Sequence, residues 1–558
     1  MTGRVAGRGG VGALLALLLV SCGSPATPSP TQLPAISPGV PAPTPAVAGP
    51  SPTIASGTSA PLSPSPVATR PAWSLQLANT GTLTPVPAAD GSTYLATSPW
   101  GPKGQGKVYR LDAAGQVTAS WPFAPAGIAA FATPVVAPDG TLYVLGWAYG
   151  AGAPAAPGSN AARIWALDPA GRIRPGWPRA VSGSPFMGDQ GLALRPGGGV
   201  IYAESIASGG AARYRAVALD ATGSVVPGWP VTLPGPPRCS VAPCVTGMVG
   251  STGVWYALVQ LGQGPDAEIV ALRPDGTPAT GWPVRVPGGE GFVLAGDGAI
   301  DAWGLDTDAT APPAGLSTIL RTRFLEFDPE GRLRPGWPVV IDGPASIPAL
   351  GPDGTLYATT GGEPGQVQRV VALAPDGTER TGWPFTLPAD LAVYPYAPSP
   401  GMPARTTGPS VGPDGMVYVP VDRTGGAASA DRGLLALAPD GQPVAGWPVW
   451  LPEGARFGFV GEFATGGGGE LVPPAFGSDG TIYLPVDLDT TIESHAIGVV
   501  MAFDRSGHQP AGWPLVAPPG SGGPSHVIAL VSDARGDLLL TTLTDFGSTA
   551  IVSRVGIR

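Results

Sequence analysis

From about residue 73 onward, aromatic and aliphatic residues alternate with small or polar ones in short runs. A period of two of this kind predicts half-buried β-strands. Pro138-Asp139-Gly140-Thr141-Leu142-Tyr143-Val144 is one such run, a tight turn leading into a strand, and it returns at residues 352–358, 413–419 and 478–484. A second turn-strand signature follows each time, as in Ala166-Leu167-Asp168-Pro169-Ala170-Gly171. A Trp-Pro pair then closes the unit, at Trp121, Trp177, Trp229, Trp282, Trp337, Trp383, Trp447 and Trp513. In all eight units the second run begins 11 positions before the Trp, and its turn Gly lies five positions into the run. Two spacings held through eight units mark a repeat. Seven of the eight tryptophans follow Gly; Trp121 follows Ser120.

One unit therefore reads strand, Asp-Gly turn, strand, variable loop, strand, turn, strand. Four antiparallel strands in that order make one blade of a β-propeller. Pro cannot donate to a ladder, so the Trp-Pro pair is expected on the outer edge strand, with the indole packed against the next blade. The Asp-Gly strand pair occurs nine times, the last in degenerate form at Ala534-Arg535-Gly536-Asp537-Leu538-Leu539. After that unit only a third strand remains before Arg558, whereas Pro71-Ala72-Trp73-Ser74-Leu75 reads as a fourth strand with no blade before it. Ring closure joins the two. The expected fold is all-β, a single propeller of nine four-stranded blades whose N-terminal strand completes the last, with eight blades as the alternative.

The Ala-Leu-Asp run, the turn Gly and the downstream Trp resemble PQQ-like β-propeller repeats, over residues 73–558. That family includes quinoprotein dehydrogenases and a propeller lipoprotein of an outer-membrane assembly machinery. The resemblance implies the fold. Quinoprotein catalysis would need a calcium site, an adjacent cysteine pair and a stacking Trp; Cys239 and Cys244 are not adjacent, so no PQQ cofactor is expected.

Composition refines this picture. The chain holds 85 Gly and 71 Pro, a level that without a period would suggest disorder but here serves turns. Charged residues are 12%, the net charge is −9 and no Lys/Arg-rich run occurs, which argues against a nucleic-acid partner. At the N-terminus, Arg4 and Arg8 precede the apolar run Val11 to Val20 and then Leu19-Val20-Ser21-Cys22. That run is too short to span a bilayer as a helix, and its end resembles a lipobox. The expectation is a signal peptide at 1–21, palmitate-type acylation of Cys22 and a cell-membrane lipoprotein on the extracytoplasmic side. Residues 23–72 contain 14 Pro and a single charge, Arg70, and predict a disordered tether. Residues 73–558 are the propeller. In an oxidising compartment Cys239 and Cys244 are expected to form a local disulfide.

Residues that recur in every unit are accounted for by folding, so function is sought where the units differ. The long insertions at 147–162, 234–245, 304–318, 388–409, 422–433, 452–471 and 487–498 are expected on one face, in the second-to-third strand loops and the blade-to-blade connections. Tyr394, Tyr396 and Arg405, and Arg456, Phe457, Phe459, Glu462 and Phe463, suit contact with an envelope protein or a glycan; alternatively these rings pack the loops onto the propeller. Asp487, Asp489 and Glu493, with His495, offer oxygen ligands at spacings a calcium ion would accept, against the simpler reading of a solvated strand end. Arg535-Gly536-Asp537 coincides with a repeat turn. No catalytic triad or two-His metal spacing is visible. The leading expectation is a non-catalytic binding or scaffolding lipoprotein. The alternative is an extracytoplasmic enzyme on the loop-bearing face, a carbohydrate lyase or hydrolase or a cofactor-dependent oxidoreductase.

Overall fold

The computed structural model describes residues 71–557, except 79–83, 100–103, 149–161, 186–190, 209–210, 238–246, 263–265, 307–320, 362–366, 397–404, 424–430, 461–469, 489–495, 518–523, 534 and 545–548. Cys22, Cys239 and Cys244, and with them the lipidation and disulfide expectations, lie outside the described residues.

Within the described residues the strands gather into nine antiparallel blades, and no helix occurs. Blade 2 shows the plan. Its first strand, Ala130–Phe131 and Val135–Val136, pairs with Leu142–Trp147, which pairs with Ala162–Leu167, which pairs with the short outer strand Arg179–Ala180. In blade 9 the strands Ser525–Ser532, Leu538–Thr544 and Thr549–Val555 are completed by the N-terminal strand Trp73–Ala78, paired in register from Trp73 with Arg554 to Ala78 with Thr549. The ring thus closes as the strand count required. In blade 1 the fourth position is held by a single bridge from Phe123 to Val108.

The repeated residues are explained by the seams between blades. In blades 1 to 7 the indole Nε1–H of the repeat tryptophan donates to a carbonyl in the strand 3–4 turn of the next blade, as from Trp177 to Ala221 at 3.1 Å and from Trp229 to Pro274 at 3.1 Å. Trp73 plays the same part for blade 9, donating to Ala113 of blade 1 at 3.2 Å. Six units add a tyrosine of the second strand, such as Tyr143 or Tyr357, packed at an angle on its own blade's indole, worth about 0.5–1.5 kcal/mol beyond burial. The Trp-Pro pair sits in the turn that enters the outer strand rather than within it, and all eight bonds are cis.

In blades 2 to 7 the Gly before the Trp follows from this docking. Gly176 has φ +86°, and a Cβ there would stand 2.0 Å from the carbonyl oxygen of Thr222 in the next blade. Ser120, in the same place in blade 1, is forced to φ 72°. The turn aspartates act locally: Asp168 Oδ1 accepts the backbone N–H of Ala170 and of Arg172, an arrangement that fixes the turn.

In blades 1 to 8 the strand 1–2 and strand 3–4 turns lie at the same end of the blade, as expected. The insertions differ from expectation. Leu391–Val393 and Ser410–Val411 pair with the same second strand, as do Arg456–Phe457 and Ala475–Phe476. Each of these two pairs of strands is thus one inner strand in two parts, in blades 7 and 8, so the insertions at 388–409 and 452–471 are not blade-to-blade connections. Residues 238–246 likewise fall between Pro237 and Met248, which both pair with the second strand of blade 4. The reason is geometric: the inner strand borders the central channel, so it can carry an excursion without breaking a seam.

Candidate functional site

At the loop-bearing ends of blades 7, 8 and 9, residues that break the repeat come together. The second strands of blades 7 and 8 end alike, Tyr418-Val419-Pro420-Val421-Asp422 and Tyr483-Leu484-Pro485-Val486-Asp487. Each places a carboxylate one strand away from an arginine. Asp422 lies across from Arg432 in register. Burial raises the Asp422 pKa to about 6, against the lowering pull of Arg432. Asp487 lies opposite Arg456 and Gly498. Its Oδ2 is 3.6 Å from Arg456 Nε and 2.9 Å from Nδ1 of His526, which belongs to blade 9. The Asp487 and His526 side chains are 2% and 4% exposed, whereas Arg456 keeps 27%.

Tyr394 is in edge contact with Phe457 at 5.2 Å between ring centres. The Arg432 guanidinium lies 5.7 Å from the Tyr394 ring centre and donates to the Ala455 carbonyl at 2.9 Å. Burial raises the Tyr394 pKa; Arg432 opposes that shift. On the outer side of blade 7, Arg423 stacks on Trp450 at 4.2 Å and pairs with Asp431 at 3.1 Å. The sector thus groups two carboxylates and two guanidinium groups, of Asp422, Arg432, Arg456 and Asp487, with His526 and the rings of Tyr394 and Phe457. Its partly exposed groups, Asp422 and Arg432 of blade 7 and Arg456 of blade 8, can face a partner, whereas Asp487 and His526 are buried.

The residues singled out from sequence separate as follows. Tyr394, Arg456, Phe457 and Asp487 are brought together. Tyr394 and Phe457 are buried, so these two rings pack the inner strands and are not exposed contacts. Tyr396 and Arg405 are paired in register in a short hairpin, and Phe459 stands opposite Leu471 in another. Glu462, Phe463, Asp489, Glu493 and His495 lie outside the described residues. Asp487 is held by Arg456 and His526, and no cluster of three metal-ligating side chains occurs among the described residues. Sequence reading missed Asp422, Arg432, Arg423 and His526. The shared Val-Asp ending of units 7 and 8 was the signal that pointed to Asp422; His526 carried none.

Elsewhere, blade 5 departs from the repeat at the turn face. Asp301 replaces the tyrosine and Glu326, its register partner, replaces the alanine. Burial first, then Glu326, raises the Asp301 pKa to about 8. Near the turn-face end of the channel a recess of 640 Å³ is lined by Leu350, Val411, Phe476, Leu530 and Val531.

No family model matches the chain, and no curated protein matches it. Among solved structures it is similar to the Dos1 propeller, at 10% identity over 87% of this chain and 95% of that one, TM-score 0.39. It is also similar to a structure described as a eukaryotic initiation factor, at 9% identity over 81% and 89%, TM-score 0.43. A streptogramin B lyase matches at 14% identity over 62% and 94%, TM-score 0.31. These likenesses are at the level of the propeller fold.

Proposed function

We propose that the protein is a lipid-anchored, extracytoplasmic binding or scaffolding module of the PQQ-like propeller type. In this reading Cys22 carries the acyl chains, residues 23–72 form the tether, and the blade 7–9 sector engages an envelope protein or glycan. One observation carries it. Repeated Trp, Gly, Tyr and Asp residues are consumed in seams and turns, while at the loop-bearing ends of blades 7 and 8 the repeat-breaking Arg423, Asp431 and Arg456 stay partly or largely exposed, next to inner strands packed by Tyr394 and Phe457. A rigid scaffold that concentrates its variable residues in one sector is the arrangement of a recognition surface.

The test is photo-crosslinking in intact cells from two exposed positions. Ile497, 44% exposed, borders the sector, and Val225, 51% exposed, lies by the tight turns. A partner captured from Ile497 and absent from Val225 supports the reading. Equal capture from both positions, or none from Ile497, counts against it. The anchor is tested separately, by palmitate labelling of the wild-type chain and of Cys22→Ser; label retained after the substitution would overturn it.

A further inference from the structure

Nine blades make nine seams, and eight of them carry the same lock, an indole N–H donated to the next blade's strand 3–4 turn. The exception is the seam between blades 8 and 9. Blade 9 takes its fourth strand from the N-terminus, so no turn links its third strand to its fourth, and Trp513 has no turn to dock on. The indole shows the difference. Trp513 is 9% exposed against 4–7% for the other seven Trp-Pro tryptophans. It meets Tyr483 at 47°, where the five other tyrosine–indole pairs with the same arrangement lie between 62° and 69°.

At the opposite end of the same seam lies the buried Asp487–His526 pair, one residue from each blade. Beside it Ser525 of blade 9 accepts the Gly498 N–H through its Oγ at 2.9 Å and donates its own N–H to Ala496 at 2.8 Å. Blade 9 itself is loosely satisfied. The buried hydroxyls of Thr541 and Thr542 in its second strand have no hydrogen-bond partner among the described residues, and its first strand is bulged between Val527 and Ala529. Unsatisfied buried hydroxyls lower local stability, and the bulge leaves one residue of the first strand without a ladder partner.

We infer that the seam between blades 8 and 9 is the joint at which the ring opens, held by the Asp487–His526 latch in place of the indole lock. Opening there leaves every blade intact and separates two faces of an otherwise continuous ring, a sub-global event of lower free energy than unfolding. Because Arg456 shares Asp487 with His526, the joint and the candidate site have one carboxylate in common.

The repeat supplies its own test. Ala166, Ala218, Ala271, Ala372, Ala436 and Ala502 occupy one position of the third strand, each 0–1% exposed, and each lies in the core of a different seam. Each is replaced singly by Cys in the full chain. Labelling by a small thiol reagent under native conditions is then followed at that peptide by mass spectrometry, which separates it from Cys22, Cys239 and Cys244. The expected result is that Ala502→Cys labels at least about tenfold faster than the other five. Adding Asp487→Asn should raise the Ala502→Cys rate about tenfold more and leave Ala271→Cys unchanged. Equal rates at all six positions, a faster seam elsewhere, or acceleration of every seam by Asp487→Asn would each overturn the inference. If Asp487→Asn does not fold, His526→Gln takes its place, and the ranking of the six single variants decides the matter alone.

Discussion

Closure of the ring by residues 73–78 makes a prediction that separates this architecture from an open arc. The perturbation is deletion of residues 71–78, and its counterpart is the same segment moved to follow Ile557 through a repeat-type Asp-Pro-Ala-Gly turn. Leu75 and Leu77 pack with Leu95, Leu111, Leu543, Ala550 and Val552, Leu77 being 8% exposed. Trp73 is half-buried and covers the Gly115 turn. Burial of the two leucines gives roughly 1.5–3 kcal/mol each and the indole about 2 kcal/mol. The six paired residues add ladder hydrogen bonds of about 0.5–1.5 kcal/mol each, and ordering them costs about 1–2 kcal/mol each, leaving a net loss of about 3–5 kcal/mol. For a ring of this length the unfolding entropy is about 1 kcal/mol per degree, so the deletion lowers Tm by about 3–5 °C in a scan of the whole ring. The loss is larger if blades 9 and 1 then fray separately. Differential scanning calorimetry of wild type, deletion and transplant reads the effect. The transplant should restore the wild-type Tm or exceed it, because it also gives Trp513 a turn to dock on. A deletion that melts within 1 °C of wild type, taking ~1 kcal/mol per degree, would refute closure through this strand. So would a transplant that melts like the deletion.

Three further outcomes follow from the repeat. Ser120→Gly relieves the positive φ at Ser120 and should stabilise by about 0.5–1 kcal/mol, whereas Gly176→Ser should cost more than about 3 kcal/mol; urea titration compares them, and a destabilised Ser120→Gly would show the strain argument wrong. Asp301 binds its proton up to about pH 8 in the folded state and releases it near 4 when unfolded. Its contribution is therefore complete below about pH 4 and is lost as pH rises to about 8. Asp301→Asn should flatten the dependence of stability on pH in that window, and an unchanged slope would exclude Asp301 as its source. Restoring the repeat with Asp301→Tyr and Glu326→Ala together should be neutral or stabilising by about 1–3 kcal/mol at pH 8, with near-ultraviolet dichroism gaining a tyrosine–indole signal; a clear loss of stability would show that the carboxyl pair is structurally required.

The fold was legible because its parts are local and repeated. Each Trp fixes a seam, each turn Gly a positive φ, and the unmatched strand at Trp73 had only one vacancy to fill. The position of the insertions was misread for a physical reason. A two-residue inner strand such as Arg456–Phe457 leaves little periodicity to recognise, so residues 452–471 read as one connecting loop. The site was half legible. Tyr394, Arg456, Phe457 and Asp487 stood out as departures from the repeat, and their convergence needed only adjacent blades. His526 was hidden because its partner lies 39 residues away, and the register of two different blades decides that distance. The Arg432 and Asp422 pair follows from cross-strand register that hydrophobic alternation alone does not set.

The strand that closes the ring also has a mechanical meaning. Trp73 lies at the turn-face end of blade 9, and the chain preceding it leads back to Cys22. A load applied along the strand axis would be borne by the six residue pairs from Trp73–Arg554 to Ala78–Thr549 together in shear instead of peeling them one by one. With the anchor proposed at Cys22, the joint that completes the wheel is the same joint that tethers it. Drag on the propeller would then be resisted by the strand pairing that completes its last blade.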